Sequence, residues 1–89
     1  MTQVQLQNEI ETLLLIKGIK LEDEYLPHVA LLTFKSNYIQ IIYDYTIEVL
    51  WVVLEVLEHN QLYEQCAVIK QTIENYNELE GTSFTTTYR

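Results

Sequence analysis

No glycine or proline interrupts the chain from Asn37 to Glu58. An ordinary strand is about 5–6 residues long, so a run of this length leaves few options in a sheet. Read with period two, Ile39, Ile41, Tyr43, Tyr45, Ile47 and Val49 alternate with Gln40, Ile42, Asp44, Thr46 and Glu48, and the β-branched content suits a strand. That alternation ends after Val49. Read with the helical period, Gln40, Asp44, Glu48, Glu55 and Glu58 or His59 trace one polar stripe, and the whole segment is accounted for. The spacing therefore predicts a helix over Asn37–His59, with Ser36 as its N-cap. Such a helix carries two apolar seams, Ile42, Thr46, Val49, Val53 and Val56 on one side and Tyr43, Ile47, Leu50, Leu54 and Leu57 on the other. Both have the step pattern of knobs-into-holes packing. A helix apolar on two sides needs neighbours on both, so it is expected at the centre of a bundle, in a dimer core, or in both.

The rest of the chain is also poor in turn residues, with two glycines and one proline in 89 residues. Thr2 is placed to cap a first helix ending at Lys17, in which Leu6, Ile10, Leu13 and Leu14 share a face, and Gly18 follows as a left-handed C-terminal cap. From Leu21 to Phe34 the acids Glu22, Asp23 and Glu24 suit the positive end of a helix, and Pro27 fits only a first turn. A short helix from Glu24 or Pro27 to Phe34 is expected, with a strand over Val29–Leu32 as the alternative. From Asn60 to Leu79, Leu62, Cys66, Ile69, Ile73 and Tyr76 form one stripe, and Gly81 is expected to close that helix. The final segment reads as a frayed tail, or as a strand offered to a partner's sheet edge. The expected fold is all-α: one domain over residues 1–80, a small bundle of three to four helices ending in an antiparallel helical hairpin, then a tail over residues 81–89.

Thirteen acids face five bases, a formal net charge of −8. That balance disfavours direct binding to nucleic acid or to an anionic membrane, and it favours a basic protein surface or simply solubility. The single cysteine rules out an internal disulfide, the N-terminal residues do not read as a secretory signal, and the apolar run Val49–Leu54 is too short to span a membrane. Cytoplasmic residence is the expectation.

Little in the sequence points to catalysis. Cys66 occupies an apolar stripe position, where a packing role outweighs a nucleophilic one. His28 and His59 belong to no paired ligand spacing, and His59 falls where an imidazole complements a helix C-terminus. Asp44, Glu48 and Glu55 on one stripe read as a solvated face, and no glycine-rich phosphate loop is present. The chain is expected to be no enzyme and to use no cofactor or metal. Seven tyrosines are many for this length, and tyrosine enriches interfaces. Tyr43 and Tyr76 are expected in the core. Tyr38, Tyr45 and Tyr63 lie nearer the polar margin and, with Asp44, Glu48 and Glu55, are the candidate partner-binding residues.

The segment around residues 61–73, QLYEQCAVIKQTI, resembles the UVR motif, a helical hairpin of bacterial nucleotide-excision-repair proteins. Tyr63-Glu64 match its aromatic-acid pair, Cys66 and Ala67 its two small residues, and Ile69, Lys70 and Ile73 its aliphatic and basic positions. Gln71 stands where the family has Asp, and Lys70 where it has Arg. The resemblance implies that the small pair lets two helices approach closely, and that the hairpin binds a second copy of itself or a partner protein. It implies no repair activity.

The expected function is a protein-interaction module, an adaptor, assembly component or inhibitor of the kind phage genes encode. It would act as a homo-oligomer built through Val49, Val53, Val56, Leu62, Ile69 and Ile73. The alternatives are an acidic mimic of nucleic acid, presenting Asp44, Glu48, Glu55 and Glu58 to a basic groove, and a structural component of a larger assembly.

Overall fold

A computed structural model describes the backbone of residues 1–88 and the side chains of residues 1–79. The described residues form helices joined by turns, with no strand among them: α1 (Gln3–Lys17), a 3-10 turn (Asp23–Tyr25) leading into α2 (Leu26–Phe34), α3 (Tyr38–Asp44), α4 (Ile47–His59) and α5 (Tyr63–Tyr88). The strand alternative at Val29–Leu32 is not adopted; Val29 and Ala30 are buried on α2, and Pro27 sits in its first turn, where no backbone N–H is missed.

Helix ends follow local chemistry. The Thr2 hydroxyl accepts from the Gln5 N–H at 3.1 Å, which satisfies one otherwise unpaired donor of α1. Three helices close in the same way. After α1, Gly18 N–H donates to Leu15 O and Ile19 N–H to Leu14 O; after α2, Ser36 donates to Thr33 and Asn37 to Leu32; after α4, Gln61 donates to Glu58 and Leu62 to Leu57. Each is a Schellman motif with a left-handed residue at the turn. Gly18 takes that conformation freely at φ 70°, whereas Ser36 (φ 59°) and Gln61 (φ 61°) adopt it with a side chain. Ser36 is thus the terminator of α2 and not the N-cap expected for the next helix; Asn37 holds that place and makes no capping bond through its side chain.

The single helix expected over Asn37–His59 is two helices. The break is at Tyr45 (φ −127°, ψ −105°) and Thr46, which is extended. Thr46 leaves the seam in which it was expected and caps α4 instead, accepting from the Val49 N–H at 3.3 Å. The residues at the corner, Tyr43 to Thr46, include aromatic and β-branched side chains that lose rotamer freedom in a helix, so the local cost of breaking it is small. The corner also turns Tyr43 outward, 66% exposed, although it was expected in the core. Tyr43 meets half-buried Tyr76 edge to face across α3 and α5, with ring centroids 6.4 Å apart.

α4 packs against α1, α3 and α5, and α1 also packs against α2. The core is continuous through them, with Ile10, Val29, Ile41, Leu50, Val52, Val53 and Ile69 fully buried. Its one buried polar side chain among the described residues, Thr33, donates to the Val29 carbonyl at 2.8 Å. Between α4 and α5 only Asn60 to Leu62 intervene, and α5 folds back so that Cys66 Sγ faces the Leu54 carbonyl at 4.0 Å. The α5 backbone continues through Gly81 to Tyr88, so Gly81 is not the stop expected there. The side chains of the expected tail, residues 81–89, lie outside the described residues.

Candidate functional site

The corner between α3 and α4 is braced by the neighbouring α2 and the 3-10 turn before it. Tyr45 Oη and His28 Nδ1 are linked by a 2.6 Å hydrogen bond, and the Tyr45 ring stands edge-on to Tyr25 at 5.9 Å. These groups line a shallow cleft with Lys20, Glu22 and Asp44. Partial burial holds the Tyr45 phenol above its ordinary pKa, and the negative charge of Asp44 adds to the effect. The cluster ties the corner to α2 and the 3-10 turn.

Past the corner, α4 is covered by α1, α3 and α5 and keeps one outward face. Glu48, Trp51, Glu55 and Glu58 are all exposed and follow one another at helical spacing. Trp51, the only tryptophan, is 46% exposed in the middle of the acids. Glu55 is paired with Lys17 of α1 at 2.8 Å, a contact with both partners open to solvent and worth less than ~1 kcal/mol. Asp44 does not continue the stripe: it ends α3, accepts from Gln40 Nε2 at 2.7 Å and borders the Tyr45 cleft. The four acids expected on one helix face are thus divided by the corner.

The candidate partner-binding residues separate accordingly. Glu48 and Glu55 are exposed on α4, Asp44 and half-buried Tyr45 lie at the corner, and Tyr63 is 65% exposed on the first turn of α5. Tyr38 is buried to 2% exposure and belongs to the core; it opens α3, and its hydroxyl donates to Ser36 Oγ at 3.4 Å. Of the residues expected on a self-association face, Val49, Val53, Val56, Ile69 and Ile73 are buried within the single chain, and Leu62 packs against the same core. A second copy could reach Val49, Val53, Ile69 and Ile73 only by opening the fold, while Val56 also borders a groove between α1 and α4.

Trp51, Tyr25 and His28 were not among the expected site residues. Trp51 could have been found from its place between Glu48 and Glu55 on the polar stripe. Tyr25 and His28 are one turn apart in sequence, but nothing local announces that both meet Tyr45.

Cys66 is buried in the α4–α5 contact, while its neighbour Ala67 points to solvent, so one member of the small pair lies at the interface. Burial pushes the Cys66 thiol up from its ordinary pKa, with the Glu58 charge acting in the same direction and Lys70 opposing. No group of three His, Cys, Asp or Glu among the described residues is placed to hold a metal ion, and no described helix is long and apolar enough to cross a membrane. Comparison of the chain with protein-family models, curated proteins and solved structures gives no match.

Proposed function

We propose that this chain is a protein-interaction module, an adaptor, assembly component or inhibitor, that docks a basic partner on the outer face of α4. The observation that carries the reading is Trp51, a large ring left half open to water and surrounded by Glu48, Glu55 and Glu58. Buried cores draw tryptophan in, and an exposed one is a frequent anchor of interfaces. Its ring face attracts a lysine ammonium or arginine guanidinium, and flanking carboxylates strengthen that choice. The net charge of −8 steers a basic surface toward the face from a distance.

Self-association, where it occurs, uses surface outside the buried seams. The antiparallel α4–α5 pair, and with it the likeness to the UVR hairpin, serves in this reading to hold α4 rigid while its outer face stays open. No chemistry beyond binding is invoked.

The test is a quantitative binding comparison. Wild type and Trp51→Ala are immobilised, partners from the source cell are captured and identified, and the partner so identified is titrated against both forms. A basic partner whose affinity falls at least about tenfold with Trp51→Ala, as for an interface anchor, supports the reading. A partner unaffected by Trp51→Ala sinks it. A nucleic-acid-binding enzyme dispersed by modest salt, and indifferent to Trp51, would support the acidic mimic instead.

A further inference from the structure

Glu9, on the inner side of α1, has two carboxyl oxygens in different circumstances. Oε1 accepts from Asn60 Nδ2 at 2.9 Å, and the same amide also donates to the Val56 carbonyl at 2.8 Å. Oε2 is buried with no hydrogen-bond partner among the described residues. A buried acceptor without a donor costs about 1–3 kcal/mol, so such atoms are seldom left alone in working proteins. Glu9 lines a groove of about 450 Å³ between α1 and α4, whose other walls include Leu13, Ile16, Val56, Glu55 and His59. The groove therefore offers an aliphatic wall beside a buried carboxyl oxygen that has no donor, with the Glu55 carboxyl as a second acid of its lining. Lys17, the nearby cation on α1, is engaged by Glu55 and not by Glu9.

We propose that this groove receives a lysine or arginine side chain of the docked partner. The stem lies along Leu13, Ile16 and Val56, and a small rotation of the Glu9 carboxyl brings Oε2 to the cationic head. Long basic side chains divide in this manner between apolar stem and charged tip, and they carry only donors, which the Glu9 oxygen lacks. Glu55 belongs both to this groove and to the Trp51 face, so one basic segment can span the two. The inference rests on the docking of a basic partner at α4, and it adds a specific pocket to that face.

The full chain, labelled with nitrogen-15, is titrated with n-butylguanidinium chloride, and n-butanol and sodium chloride serve as controls. Saturable shifts at the amides of Leu13, Ile16, Val56 and His59 are expected with butylguanidinium. They should weaken roughly tenfold in Glu9→Gln, as for loss of a charge-assisted hydrogen bond. Ile16 is exposed, so Ile16→Ser keeps the fold and provides a second variant, in which binding should also weaken. Equal binding in wild type and Glu9→Gln, shifts reproduced by butanol or salt, or no saturable shift would overturn the proposal. The titration does not depend on Trp51. Groove binding retained in Trp51→Ala, beside a partner indifferent to Trp51, would support the groove and remove the docking reading alone.

Discussion

At the residue scale, single side chains hold the local geometry that positions the α4 face. Thr46 is the most informative, because its hydroxyl caps the helix that begins at the corner. Thr46→Ala should cost about 1 kcal/mol in a urea titration, with the same m-value. Tyr45→Phe keeps the ring against Tyr25 but removes the bond to His28, and should cost about 1 kcal/mol by the same measurement. The raised pKa of the Tyr45 phenol has a signed consequence. Above pH ~10 the unfolded chain releases this proton while the fold retains it, so stability falls as pH rises through that range. The loss should be smaller in Tyr45→Phe, as denaturation at successive pH values will show. Cys66 behaves likewise in the thiol range. Buried and with a raised pKa, it should label with a thiol reagent only as fast as the protein opens, and quickly in denaturant.

At the element scale, α1, α2 and α4 stop by one device, and the helices stay together by one core. Because Gly18 and Gln61 share the left-handed position, substitutions there should act in opposite directions. Gly18→Ala should destabilise by about 1 kcal/mol through backbone conformation alone, since no atom lies within 4 Å of the added Cβ. Gln61→Gly should relieve a similar strain and raise the thermal midpoint. In the core, Leu50→Ala or Ile69→Ala should cost about 2–5 kcal/mol, whereas Val4→Ala and Leu15→Ala on the open side of α1 should stay within ~0.5 kcal/mol. The buried stripes of α1 and α5 were legible because Leu6, Ile10 and Leu14, and likewise Cys66, Ile69 and Ile73, recur at helical spacing. The corner was not: a helix apolar on two sides satisfies the helical period whether it is straight or broken, and the seams through Ile42 and Tyr43 fit both.

At the scale of the whole molecule, charge and exposure meet on α4. The acids are spread along the chain, yet Glu48, Glu55 and Glu58 surround the single tryptophan because α1, α3 and α5 cover the other sides of the helix. Trp51 therefore reports on its own site. Its intrinsic fluorescence should change on adding a basic partner or a polyarginine peptide, and the change should diminish as salt rises, through screening of Glu48 and Glu58. Absence of any change in emission on binding would place the contact elsewhere.

What the sequence by itself determined is what local physics decides: the helical class of the chain, the caps at Thr2 and Gly18, Pro27 in a first turn, and the burial of Cys66 on its stripe. Side-chain period and backbone preference are read within a turn or two, and they suffice for these. The tertiary structure alone decided which side of an apolar segment meets a neighbour. It put Tyr38 inside and Tyr43 outside, consumed Val49, Val53 and Ile69 within one chain, brought His28 to Tyr45, and left Glu9 Oε2 without a donor. Each of these depends on residues far apart in sequence closing on one another, and the free energy of that closure is not carried by any single segment.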